Sequence, residues 1–526
     1  MTPPARPPLV VTPQRLGTAV GAAVAVASVG ALLLHAWYAL VSGWYVDFVA
    51  GVWLGLARDL ADGVFYRALA SDAGFGGTRY FPLFFSLIAA LLRVGVPALW
   101  AAVGVSVASA FVLVAGLAWL LAEMTVPRRT IVVLAILAIA PYFVLQAIFS
   151  VRCDLLALGL ALCGLAAAYP LTVAARPSRS VAAQEVGPAD VGRPPVRAGG
   201  RVFRPAAAIR LVLSALFLTL AFATKMTAIY AAGVAVLALL LAGHRMRAVS
   251  LALLVAAGVV IFAGVVQWAS AGRAFESWRA CALGGGTLGD VLRAAISLGY
   301  RPVAGSRLLS AVFLLAGLAW LIDLRAWKGL PSILLVACTG ATAVILGSPG
   351  TVLFNQGIDL HVVSLVVLGA WVGRHRVFRF MVSAALVALL VVAAFQDVRR
   401  IDALGLRDAA RTLPAERAEL TALVLASPGR VLSENPEFPV FAGRRPYLLD
   451  PFAFRVVARS RPDVLDDLRR QLDARRFSCV LLFQDPEARG RGWYQHVDFG
   501  WPVIDRVLAN YRYARTLARI RIYVPR

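Results

Sequence analysis

Lysine is almost missing from this chain: of its 52 basic residues, only Lys225 and Lys328 are lysine. Acidic side chains are also scarce, 28 in all, and charged residues of both signs make up only 15% of the 526. Soluble domains carry about 25%. Together with 60% hydrophobic residues and a mean hydropathy of +0.77, this shortage excludes a single soluble core and a disordered or collagen-like chain. The five cysteines (Cys153, Cys163, Cys281, Cys338 and Cys479) sit mostly inside apolar runs and show no CxxC spacing. Neither a disulfide framework nor a thiolate metal site is supported. The net charge is +24. Much of it lies in short breaks between apolar runs, so it reads as membrane topology and lipid contact, with no nucleic-acid partner.

What is present is a series of long apolar runs, the pattern of a mainly α, polytopic transmembrane helix bundle. The first, about residues 17–41, is not a cleavable signal, because many more follow and no cleavage pattern ends it. Further runs fall at about 80–95, 98–122, 131–149, 155–174, 208–224, 226–242, 248–268, 305–322, 331–346, 358–373 and 380–395. Arg93, Gly95 and Pro97 split 80–122, and one half reads as a short re-entrant helix. The expected count is about 11 spans, with 13 as the upper bound. Residues 42–79 mix charges and aromatics at helical spacing and read as amphipathic helices in a first external loop.

The expected organisation is a cytoplasmic tail at 1–16, a transmembrane domain over 17–396 and a C-terminal soluble α/β domain over 397–526. A disordered linker rich in Arg, Pro and Gly covers 175–207. In the last domain, Cys479 to Phe483 reads as a buried strand. Assigning the Arg-rich breaks to the cytoplasm makes 152–154, 224–225, 269–300 and 347–357 external. It also puts the C-terminal domain outside the cytoplasmic membrane.

Charges at membrane depth are costly and mark functional sites by default. Asp47 follows the first run, and Arg152 and Asp154 bracket an external junction. Lys225 lies between two runs with almost no loop, and Asn355, Asp359 and His361 begin another. Each has a plainer reading. Arg152 and Asp154 pair with each other, Lys225 snorkels, Asp47 caps a surface helix, and Asn355 or Asp359 caps its own. Asp359 and His361 are two apart and do not share a helix face, which argues against a metal pair. Their common membrane side favours a joint site. A carboxylate there suits general-base work on a hydroxyl. Arg and Lys suit a phosphate, as a fork and as a point charge. The set fits a substrate with a lipid tail and a phosphate-linked leaving group.

Several stretches resemble the GT-C superfamily of integral-membrane glycosyltransferases. Asp47 is followed by Leu56-Ala-Arg58, Gly63-Val-Phe-Tyr66-Arg67 and Arg79-Tyr80-Phe81-Pro82-Leu83, similar to that superfamily's first external loop. Arg152-x-Asp154-Leu-Leu-Ala and Ala223-Thr-Lys225-x-Thr227 continue the likeness. So do Val431-Leu-Ser-Glu434-Asn-Pro436, Gly443-Arg-Arg445-Pro and Asp450-Pro-Phe452 near the C-terminus. The chain departs from the pattern in having one Tyr-Phe-Pro-Leu where a Pro-Pro pair is usual, and Phe48 where a second acid would follow Asp47.

The resemblance is to bacterial members of family-39, mannosyl- or arabinosyltransferase type. It implies a hexosyl- or pentosyltransferase with a polyprenyl-phosphate sugar donor and inversion at the anomeric carbon. The acceptor would be a glycan, lipid or protein hydroxyl on the outer face of a bacterial cytoplasmic membrane. Asp47 would be the catalytic base, with Lys225 and Arg152 at the carrier phosphate. Asp154, Arg79 and Tyr80 would stand beside the substrate, and Asn355, Asp359 and His361 in a supporting ring. No cofactor is assigned, and a divalent metal, at Asp154, stays open. A transporter or flippase for a lipid or polyprenyl-linked substrate is the alternative, disfavoured by the lack of repeats. A non-catalytic membrane scaffold is the other.

Overall fold

In hydrocarbon a chain must satisfy its backbone internally, so each apolar run closes into a helix. The computed structural model describes residues 13–173, 205–282, 287–300, 307–323, 328–348, 353–375, 379–487, 492–496 and 498–526. The linker expected over 175–207 lies outside the described residues, save for 205–207, which begin a helix. The N-terminal tail through residue 12 also lies outside them.

The bundle opens with α1 (Pro13–Ser42), then α2 (Phe48–Ala61) and a small hairpin, β1 (Ala70–Ser71) with β2 (Gly74–Phe75). Next come α3 (Pro82–Arg93), α4 (Ala98–Glu123), α5 (Arg128–Ile139), α6 (Tyr142–Phe149) and α7 (Asp154–Thr172). α8 (Pro205–Thr224), α9 (Ile229–Leu241) and α10 (Arg245–Ala269) lead to the short α11 (Arg273–Ala280) and α12 (Leu288–Tyr300). α13 (Arg307–Ile322), α14 (Leu330–Leu346), α15 (Leu353–Arg374) and α16 (Arg379–Ala403) complete the apolar part.

Seven of the described helices (α1, α4, α7, α8, α10, α15 and α16) are long and apolar enough to cross a membrane, and α5 with α6 makes a bent eighth. α3, α9, α13 and α14 are shorter apolar helices. These segments fall on the runs expected from sequence, and the chain is an integral multi-pass membrane protein.

Two local details differ from, or refine, the simple pattern. The run at 131–149 is not one straight helix but α5 and α6, bent by 61° at Pro141. Proline lacks an N–H and clashes with the preceding turn, so the helix breaks there. α3 has 12 residues. At about 1.5 Å per residue it is too short to span roughly 30 Å of hydrocarbon. Its Arg93 donates to the carbonyl of Leu60 at 2.8 Å, which ties it to the end of α2.

α4 and α7 pack at backbone contact. A Cβ at Gly116 would lie 2.6 Å from the Gly159 carbonyl oxygen, and one at Gly159 would lie 2.6 Å from Leu113 N. Small residues at such crossings let membrane helices gain dispersion contact that bulkier ones forbid.

The expected boundary at residue 397 falls inside α16, which is followed by α17 (Leu406–Ala426). The C-terminal part then contains β3 (Arg430–Ser433), α18 (Glu437–Phe441), α19 (Pro451–Ala458), α20 (Pro462–Asp473) and β4 (Phe477–Leu482). α21 (Trp493–His496), α22 (Trp501–Asn510), β5 (Tyr511–Leu517) and β6 (Ile520–Pro525) end the chain. The sheet order is β3-β4-β6-β5, with β3 parallel to β4 and the other pairs antiparallel. β4 contains most of the strand expected at Cys479 to Phe483.

The cap is bound to the bundle through α2. A Cβ at Gly51 would lie 2.5 Å from Glu437 N, and one at Gly55 2.7 Å from a Leu449 methyl. The hairpin joins it too, since Phe75 N donates to Tyr447 O and Leu449 N to Phe75 O, both at 2.9 Å.

Gly159→Leu is expected to abolish most of the monodisperse peak on size-exclusion chromatography in detergent. Gly30→Leu, where a Cβ meets open space, should leave that peak unchanged.

Candidate active site

The chain turns sharply between α1 and α2, and Asp47 is the N-cap of α2. Its Oδ1 accepts from Val49 N at 3.0 Å and Ala50 N at 3.1 Å. Its Oδ2 accepts from Arg152 Nη2 at 2.6 Å. One carboxylate thus does two jobs: it satisfies orphan N–H groups at the positive end of a helix and it pairs with a cation. Arg152 is 12% exposed and Asp47 30%, so the acid keeps an open face.

Arg152 reaches that position because α6 ends in a left-handed turn. Val151 has φ +53°, and Arg152 N closes the turn on Ala147 O at 3.0 Å. A β-branched residue rarely adopts this conformation, and such strain collects at functional sites. Arg152 Nε also donates to Ser150 Oγ at 3.0 Å, which fixes the guanidinium plane.

Arg152 and Asp154 were natural partners by spacing, yet the structure pairs each with something else. Asp154, in the first turn of α7, is buried and accepts from Lys225 Nζ at 2.7 Å. Lys225 stands at the break between α8 and the short 3-10 turn Met226–Ala228. Asp359 of α15 acts on Lys225 electrostatically and accepts from Tyr230 Oη at 3.4 Å. Asp154 therefore has a resident ammonium rather than an open carboxylate. Among the described residues, no three His, Cys, Asp or Glu side chains are grouped to hold a metal ion.

Tyr80 lies near Arg152, its ring against Trp53 at 4.3 Å. Arg79 turns toward the cap instead, over the Phe452 ring at 4.4 Å and close to Asp450. His361 does not join Asp359. Its Nε2 faces Leu137 O at 2.9 Å and its ring meets Phe143 edge-on, a wholly buried packing role between α5, α6 and α15. Asn355 and Asp359 are interior to α15, which begins at Leu353, so neither is its N-cap. The Asn355 side chain lies outside what is described.

On the side of Asp47 facing the cap lies a cavity of about 250 Å³, walled by Trp44, Phe48, Arg417, Glu437, Trp493 and Asp498 among others. Arg417 donates to Glu437 Oε1 at 2.8 Å and to Gly43 O at 3.2 Å, joining α17 to the turn that carries Asp47. Glu434 is buried and accepts from Phe483 N at 2.7 Å, from Tyr494 Oη at 3.0 Å and from Trp493 Nε1. Desolvation pushes the carboxyls of Glu434 and Asp498 well up from the usual range, and Glu437 up to about 7 against the pull of Arg417.

Sequence reasoning placed Glu434 in the cap but missed Arg417, Glu437 and Asp498. One signal was available: Asp498 is a lone acid inside the aromatic stretch from Trp493 to Trp501.

No family model and no curated protein sequence matches this chain. Solved structures do. ArnT from Cupriavidus metallidurans bound to undecaprenyl phosphate aligns over 95% of this chain and 97% of its own, with a TM-score of 0.56 and 11% identity. An oligosaccharyltransferase from Archaeoglobus fulgidus in complex with Zn and sulfate aligns over 96% of this chain and 73% of its own, with a TM-score of 0.52 and 12% identity. The likeness at these identities is one of fold, and the fold is of the GT-C type that the sequence resemblance implied.

Two outcomes follow from this geometry. Asp154→Asn takes from the buried Lys225 the carboxylate it is bonded to, leaving only the more distant Asp359, and should cost about 3 kcal/mol of stability. Thermal unfolding in detergent reads it. Glu437 binds more protons folded than unfolded between the ordinary glutamate range and about 7. Its contribution to stability is full at acid pH and is lost as pH rises through that interval. Melting temperature should therefore fall between about pH 5 and about pH 8, and Glu437→Gln should flatten the fall.

Proposed function

We propose that this protein is a glycosyltransferase that moves a sugar from a polyprenyl-phosphate donor to an acceptor hydroxyl. The reaction takes place, with inversion, on the extracytoplasmic face of a bacterial cytoplasmic membrane. The observation that carries this reading is the Asp47–Arg152 pair at the wall of a cavity, beside a second cation–carboxylate pair, within a GT-C fold.

The acceptor oxygen attacks the anomeric carbon, the bond from that carbon to the phosphate oxygen breaks, and its electron pair leaves on the polyprenyl phosphate. The acceptor's proton passes to Asp47 Oδ2. Oδ1 stays on the Val49 and Ala50 N–H groups and holds the carboxylate in place. Arg152 shifts its fork from Asp47 to the donor phosphate, which frees Oδ2 as the charge it neutralised arrives elsewhere. Lys225, held by Asp154, supplies a second positive charge where negative charge develops. Tyr80, near Arg152, stands on the donor side, and Arg79 links that side to the cap.

An apolar groove of about 420 Å³ between α1, α4 and α6, lined by Leu33, Trp37, Trp100, Val107 and Phe149, supports the lipid part of the reading. Phe149 is three residues before Arg152.

The test is transfer from a panel of radiolabelled polyprenyl-phosphate sugars in membranes. Asp47→Asn, at normal protein level, should lose at least about 100-fold in rate. Arg152→Ala should raise the donor KM. Full activity in Asp47→Asn removes Asp47 from the mechanism.

A further inference from the structure

The cavity beside Asp47 carries polar groups that the transfer step does not use. Asp498 is wholly buried; Arg455 acts on it electrostatically, and among the described residues neither of its carboxyl oxygens has a hydrogen-bond partner. Oε2 of the buried Glu437 has none either. Folded proteins leave few buried polar atoms unmatched, and both residues border this one hollow.

The two cations in the wall are already engaged. Arg417 is paired with Glu437, and Arg519 lies over the rings of Trp44 at 4.3 Å and Phe483 at 5.6 Å. Aromatic rings supply the rest of the wall, with Phe48 edge-on to Trp493 at 6.3 Å and Trp493 against Phe483 at 5.8 Å. The volume, about 250 Å³, equals the share of roughly eight liquid waters. It admits one sugar ring and is too small for a folded peptide.

We propose that this cavity is the acceptor subsite and takes an uncharged sugar ring, so that the acceptor is a glycan. Asp498 and Glu437 bind ring hydroxyls, and the aromatic walls cover the C–H face. The inference rests on the transferase reading of Asp47 and names the acceptor class for it. Burial and the nearby Glu434 push the Asp498 carboxyl well up, against the pull of Arg455. A neutral carboxyl donates and accepts, as a hydroxyl does, and it offers no fixed charge to a cation.

The test is titration of tryptophan fluorescence in the detergent-purified protein, since Trp44 and Trp493 both line the cavity. The probes are methyl α-mannopyranoside, methyl α-glucopyranoside and methyl α-arabinofuranoside, with methylammonium and N-acetylthreonine amide as contrasts. A saturable response to at least one glycoside is expected. Asp498→Asn and Glu437→Gln should each weaken it about tenfold while the thermal transition is retained.

No saturable glycoside response in the wild type overturns the proposal, whatever the variants do. So does an affinity within about twofold of wild type in both folded variants, or tighter binding of either contrast probe. Transfer that requires Asp47 in a protein that binds no glycoside leaves the transferase reading intact and sinks this one. Glycoside binding in a protein that transfers nothing sinks the transferase reading alone.

Discussion

Pairing of charge at the rim of the apolar bundle is the constraint on which the rest of this structure depends. Asp47 with Arg152, and Asp154 with Lys225, each place a carboxylate within 2.7 Å of a cation where water is scarce. Neither partner tolerates burial alone. The two pairs therefore fix how α2, the α6–α7 turn, α7 and the α8–α9 break meet.

The cap is part of this machinery rather than an appendage. Gly51 and Gly55 let α2 lie against the backbone of α18 and the side chain of Leu449. Arg417 then clamps the turn before Asp47 to Glu437. The cavity next to Asp47 is the space left between these rigid contacts. Its shape is tied to the position of the acid.

Much of this was legible in the chain. Twelve apolar runs became the apolar helices, since a helix in lipid needs little beyond length and hydropathy. The short half of 80–122 followed from Arg93, Gly95 and Pro97. The bend at Pro141 was equally visible as a residue and was passed over because hydropathy runs straight through it. The polar residues were harder. Arg152 and Asp154 are neighbours in sequence, yet a left-handed Val151 and the start of α7 send their side chains to different partners. His361 looked like a companion to Asp359, but two residues on a helix face different ways, and the imidazole is packed against Phe143.

Composition and order alone determined that this is a multi-pass helical membrane protein with a small mixed α/β cap, because apolar runs, long in the bundle and short in the buried strand, are local properties. They also singled out Asp47, Arg152, Asp154 and Lys225 as charges beside apolar spans on one side of the membrane. Only the tertiary structure decided which acid meets which cation, that Arg79 belongs to the cap, and that Glu437 and Asp498 stand behind Asp47. Those are distances between segments up to several hundred residues apart, set by helix crossings and glycine contacts, and no local pattern encodes them.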